Sequence, residues 1–514
     1  MRIAPDGRFP ILRLAGLTGA ALAIHGYHLG VEDGEIYVPA AKKLVHPELY
    51  PFAPEFFLSH GHMSLFSPIL AWSARLTHIP IDWTLLLWYV ASLFAILASC
   101  WLLASACFSS SRARWSAMMV ITAVLTMPAT NTGLLLVDPY VTARSFSTPL
   151  TLFALAWFIR RRFVLAALAT ALVGAIHPQM CAYLLFLFGV MIVAERSSSR
   201  VRERVPTSAA AAFLPTGFTL APATGPYREA LYSRDYFFLY NWEWYHWLGM
   251  LAPLAILAWF WKSDLRGTLP GFRRISFALI PFGLVSIVAA GILGSSQRFE
   301  MFARLQPLRT FHLITLVFVL FLAGVAGEYL GRRGLAIMAG LALALAAGMY
   351  YAGTQTYPSS PQVEIPSSTS SNPWVNALLW VRHNTPTDAV FAADSRYFKD
   401  DLSDLHGFRA VSERSALADY YKDSGVVSLF PALAVEWKQM SNATYGLNHF
   451  SIDQFRHLRA EYPDVSWTVI HGPAPAGLTC PYQQQGYSVC QMPAPPLAQS
   501  PQLLATPPSA PSKN

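Results

Sequence analysis

The densest group of chemically capable side chains is Glu32-Asp33-Gly34-Glu35, three carboxylates in four residues directly after the first apolar run. Carboxylates so placed can take a proton from an acceptor hydroxyl, or supply oxygen ligands to a divalent cation such as Mg or Mn. Clustered like charges raise one another's proton affinity, which suits a base. The plainer alternative is a solvated, capping start to a helix near 36–45.

A second group is basic. Arg298, Arg304 and Arg309 are spaced so that two or three could face one site from a bent segment. Guanidinium forks bind phosphate oxygens in bidentate fashion, so an anionic lipid headgroup or a pyrophosphate is one reading. Pairing with Glu300 or with the acids at 32–35 is the other. Supporting candidates are scattered between these groups. Asp138 and Arg144 flank Pro139-Tyr140 and could close a turn as an ion pair. His60, His62 and His177 could shuttle protons or ligate a metal, although their spacing matches no specific metal motif. Glu243 lies in an aromatic loop before 247 that could stack on sugar rings, but interfacial Trp and Tyr belts account for it equally well. His312 follows the arginine segment.

The elements that must position these residues are apolar. Of 514 residues 54% are hydrophobic and 13% charged, against about 25% charged in soluble domains. Runs long enough to span a bilayer recur near 9–28, 83–107, 115–134, 145–159, 163–178, 179–195, 207–222, 247–262, 274–294, 310–330 and 334–353. The first run ends in His25, Tyr27 and His28 rather than in a cleavage site, so it reads as an uncleaved helix. With the N-terminus in the cytoplasm, the clusters Arg112/Arg114, Arg160–Arg162, Arg196–Arg204, Lys262–Arg274 and Arg332/Arg333 all fall inside, as the positive-inside rule requires. The net charge of +8 is thereby explained without nucleic acid. The acids, histidines and Arg298–Arg309 then lie together outside.

These features predict an all-α polytopic membrane domain (1–355, about eleven spans) with a long first outer loop at 29–82. Within that loop, 63–76 is apolar, contains Pro68 and is expected to lie along the interface. A small α/β domain at 372–492 should follow on the outer side, with helices at 373–383, 428–440 and 452–461 and strands at 389–393, 466–471 and 487–491. Outside the cytoplasm Cys480 and Cys490 could form a disulfide. A Pro-rich tail at 493–514 is expected to be disordered.

A cytoplasmic start, a long outer loop opening on acids, about eleven spans and an outer α/β domain together resemble the glycosyltransferase C superfamily. The segment Trp380-Val381-Arg382-His383-Asn384-Thr385-Pro386-Thr387-Asp388-Ala389-Val390-Phe391 is similar to one that often starts the outer domain of such enzymes. The stretch 32–50, with 138–149 and His177-Pro178, resembles a group of bacterial membrane proteins on that plan. The resemblance implies an inverting transferase of the bacterial inner membrane, taking a sugar from a polyprenyl-phosphate donor to an extracytoplasmic acceptor. Asp33 or Glu35 would then be the base or cation-binding acid, with Glu32 beside them, and Arg298, Arg304 and Arg309 the donor-phosphate contacts. The contrasting expectation is a non-catalytic scaffold or transporter that handles lipid-linked glycans.

Overall fold

The computed structural model describes residues 9–198, 222–399 and 403–494. The expected span at 207–222 and the tail therefore lie almost wholly outside the described residues. Among these, five helical segments are long and apolar enough to cross a membrane: Ile81–Cys107, Pro178–Glu195, Pro270–Gly294, Gln297–Tyr329 and Gly334–Thr356. Ile11–His25 and Phe163–Ile176 are apolar but shorter.

One expected span is corrected. The run at 115–134 is helical only over Ser111–Ala123. Pro128 has no N–H to offer, and its ring would clash with the carbonyl of Val124, four residues earlier. Beyond Val124 the chain folds back on itself, with Val137 N–H donating to the Leu125 carbonyl and Leu136 N–H to that of Met127. This return delivers Asp138 to the start of the helix Ala143–Ile159.

The segment expected to form the first outer loop contains three helices, Gly34–Val45, Glu55–Gly61 and Phe66–Thr77. Pro68 sits in the first turn of the last, where a missing N–H costs nothing. The C-terminal part holds one five-stranded sheet. Its strands are β1 (Val390–Ala392), β2 (Ser415–Ala416), β3 (Val465–His471), β4 (Thr479–Gln484) and β5 (Tyr487–Gln491). Their order is β2-β1-β3-β5-β4. The first three are parallel, and β5 and β4 antiparallel. The expected strands near 390, 466 and 487 are present; β2 and β4 were not foreseen. The helix Pro373–Asn384 starts where Asn372 accepts from Val375 N–H, and Trp374, Phe391, Phe408 and Trp467 build the core between it and the sheet. The helix expected at 428–440 is two, Lys422–Leu429 and Ala434–Ala443, because Pro431 interrupts it. Cys480 and Cys490 are disulfide-bonded across β4 and β5.

Charged networks join this domain to the first loop. The buried Lys42 ammonium contacts Asp82 and Glu413, each at 2.9 Å, and donates to the Ala410 carbonyl at 2.9 Å. Arg382 meets the same two acids at 2.8 Å each. The result is a closed ring of two cations and two anions drawn from four elements, the arrangement under which buried charge is tolerated.

Candidate active site

The chain leaves the first helix, turns through Glu32 in the left-handed region (φ 51°) and begins the helix Gly34–Val45. That turn projects Asp33 sideways, where its carboxylate meets Arg144 Nη2 at 3.2 Å. Arg144 is held in turn by Asp138, with Nη2 at 2.8 Å and Nε at 3.0 Å from Oδ2. Thr142 Oγ1 donates to the same oxygen at 3.1 Å. Thr142 also opens the helix Ala143–Ile159 in a reciprocal capping box with Ser145. Local capping therefore fixes Arg144, and Arg144 aims Asp33.

Arg309 acts on the same carboxylate. It ends a short turn, Pro307–Arg309, after a left-handed residue, Gln306 (φ 50°). Its field acts on Asp33, His60 and Tyr183. Its Nε is buried and bonds to nothing among the described residues. The Asp33 side chain stays 34% exposed. Its burial favours the neutral acid, but Arg144, Arg309 and Arg234 outweigh this and hold the carboxyl below its ordinary range. Asp138 goes the other way: burial raises it despite Arg144. The proton affinities of two acids on one guanidinium are thus pushed apart, and Asp33, the lowered one, is the accessible member.

The other expected residues separate clearly. His60 lies in the field of Asp33, Arg309 and Arg144, packed edge-on against Tyr37 at 5.1 Å, with its Nδ1 buried and unbonded. Burial, with Arg309 and Arg144 nearby, lowers it to about 4, although Asp33 pulls the other way, so it is neutral at neutral pH. His177 lies in the same field of Arg144 and Arg309. His312 donates through Nε2 to the Leu136 carbonyl at 3.0 Å, beneath Asp138. Glu32 pairs with Lys422, which also lies 3.8 Å from Asp33.

Four assignments are corrected. Glu35 is 1% exposed and holds the C-terminal domain rather than a substrate. One oxygen accepts from Arg409 N–H at 3.0 Å and Nε at 2.9 Å, the other from Ala410 N–H at 2.9 Å. Gly407 passes so close that a Cβ there would collide with this carboxylate. Burial pushes the Glu35 carboxyl up to about 7 against the pull of Arg409. The three arginines differ in setting: Arg298 and Arg304 precede the left-handed turn at Gln306, and Arg309 follows it. Arg298 is exposed, while Arg304 donates to the Leu429 carbonyl at 3.3 Å, leaving Arg309 as the one whose field acts on Asp33. His62 is exposed on the surface. Glu243 caps the helix Trp244–Lys262 together with His246.

The arrangement of the acids does not suit Mg or Mn between Asp33 and Asp138. Arg144 takes the place between Asp33 and Asp138 that a divalent cation would need. Among the described residues no three His, Cys, Asp or Glu groups converge for a metal.

Sequence reading missed Lys422, Arg409 and the role of Arg234, which donates to the Tyr421 carbonyl and, at 3.4 Å, to Ser424. Lys422 and Glu32 are 390 residues apart, and no local pattern marks such a pair. No family model matches the chain, and no curated protein matches it significantly.

Proposed function

We propose that the chain is a membrane glycosyltransferase that moves a sugar from a polyprenyl-phosphate-type lipid donor to an extracytoplasmic acceptor, with inversion. The observation that carries this reading is that the partly exposed Asp33 carboxylate lies within the field of Arg309, whose buried Nε has no bonded partner among the described residues. The acceptor hydroxyl attacks the anomeric carbon as the bond from that carbon to the phosphate oxygen breaks. The hydroxyl proton passes to the Asp33 carboxylate, and the charge on the departing lipid phosphate falls to Arg309. Fixed charges in a partly dehydrated site stabilise developing charge best. Asp138 and Arg144 act by aiming Asp33.

In this reading the chain sits in the bacterial inner membrane with about eleven spans, its N-terminus in the cytoplasm and its C-terminal domain outside. The one-sided distribution of basic loops supports that orientation. So does the Cys480–Cys490 bond, which is typical of an oxidising compartment. The partners are the lipid-linked donor and the surrounding lipids. A scaffold that only gathers lipid-linked glycans is the second reading, favoured by the ion pairs that Asp33 already makes. Proteoliposomes containing the purified protein and lipid-linked sugars from a host membrane extract decide between them. Release of free polyprenyl phosphate with glycosylated product supports transfer; retention of intact donor on the protein supports the scaffold.

A further inference from the structure

After the last apolar helix, Gly334–Thr356, the chain runs as an irregular strap over 357–371 before entering the helix Pro373–Asn384. The strap is tied at both edges. On one side it bonds to the outer end of the first helix: Tyr27 N–H donates to the Gln362 carbonyl at 2.9 Å, and Glu364 N–H to the Tyr27 carbonyl at 2.8 Å. On the other side Asp404 accepts from Ser359 N–H at 3.0 Å and Ser360 Oγ at 2.6 Å. The strap also walls a cavity of about 570 Å³ that reaches Asp82 and Arg382.

At the centre lies Glu364 between two histidines. His28 Nδ1 is 3.0 Å from Oε1, and Leu29 N–H donates to Oε2 at 3.1 Å. His406, 0% exposed, places Nε2 at 2.9 and 3.0 Å from the two oxygens. Its other nitrogen, Nδ1, lies 3.0 Å from the Ser403 carbonyl. A neutral imidazole has one N–H, and here both nitrogens face oxygens that only accept. Both must therefore carry hydrogen, so His406 is an imidazolium.

We infer that His28, Glu364 and His406 form an ionic latch whose central imidazolium holds the strap between the first helix and the C-terminal domain, and that loss of its proton frees the strap and opens the cavity behind it. The groups facing His406 are consistent with this. Glu364 and Asp404 are acids and favour the charged ring, and both raise its proton affinity above the ordinary value against the cost of burial. From the helix Pro373–Asn384, Trp374 Nε1 donates to the His406 carbonyl at 3.0 Å and leaves the ring untouched. From the strap, Tyr357 stacks on His28 at 3.8 Å rather than on His406. His28 meets Oε1 of Glu364, an oxygen that His406 also contacts.

The sign follows. A group whose proton affinity is higher in the folded protein stabilises it below its free value, about pH 6.5 for histidine, and that stabilisation is lost as pH rises through the folded value. The latch is closed at neutral pH and opens in alkali.

The test is hydrogen–deuterium exchange of the strap amides in the full-length protein in lipid nanodiscs, corrected for the intrinsic pH dependence of exchange. Strap protection should fall about tenfold between neutral and alkaline pH, the scale of one lost charge-assisted hydrogen bond. Glu364→Gln should show the lowered protection already at neutral pH. His406→Asn should abolish the pH step, whereas His28→Asn should keep it. Flat protection of the wild-type strap across the range, which needs no variant to fold, would overturn the inference. So would a pH step that survives in His406→Asn.

Discussion

Arg144 bridges two carboxylates from different elements, with Nη2 3.2 Å from Asp33 and 2.8 Å from Asp138. The two contacts are unequal in setting. Asp138 is buried with the guanidinium, while Asp33 reaches open space beside Arg309. The pair Asp138–Arg144 is thus a support, and Asp33 is the group that it presents.

Removing the charge on Asp33 should then stop chemistry and disturb the fold less than removing that on Asp138. Asp33→Asn is expected to reduce transfer by at least about 10²-fold, the usual scale for a proton acceptor, with a smaller loss of melting temperature than Asp138→Asn, because the Asp33 side chain is the more exposed partner of Arg144. Asp138→Asn should lose both activity and stability, because it leaves Arg144 buried with one partner fewer.

Arg309 and Arg298 should behave differently although they share one segment. Arg309→Gln is expected to raise KM for the lipid donor about tenfold or more, since a charge-assisted bond to phosphate is lost. Arg298→Gln, exposed on the surface, should leave KM unchanged. Equal effects in a steady-state donor titration would count against Arg309 as the donor contact.

Glu35 tests the reassignment of the acid cluster. Glu35→Ala leaves Arg409 and two N–H groups without their acceptor, so a loss of about 3–5 kcal/mol in stability is expected. The readout is domain unfolding by fluorescence. A variant with normal stability and no activity would return Glu35 to the chemistry.

The difference between Asp33 and Glu35 shows what the sequence could carry. The acid cluster, the apolar helices, the Cys480–Cys490 bond and most strands were legible because each depends on local pattern: periodicity, capping, proline position, charge relative to apolar runs. Which acid faces a cleft is a long-range matter. Glu35 is claimed by Arg409, whose number lies 374 positions later. A bent segment carrying the three arginines was foreseen, but not that Arg304 would donate to the Leu429 carbonyl. Lys422 was invisible for the same reason.

The acid limb of activity has a definite sign. Asp33 is held below the ordinary carboxylate range, so its ionised form persists as pH falls, and the acid limb of transfer should lie below that expected of a free Asp, which is half protonated at about pH 4. The latch reports separately. Burial acts to raise the Glu364 carboxyl, but His406 and His28 bring it down to about 2. Its stabilisation is therefore present above the free value of about 4.3 and disappears only as pH falls toward that lower limit. Initial rates and melting temperatures measured across the same pH series separate the two.

The most direct test of the central claim is a transfer assay on purified wild-type, Asp33→Asn and Arg309→Gln proteins in proteoliposomes, using a radiolabelled polyprenyl-phosphate sugar and following free polyprenyl phosphate. Wild-type protein should release it, Asp33→Asn should not, and Arg309→Gln should do so only at elevated donor concentration. Release by Asp33→Asn at the wild-type rate would contradict the account.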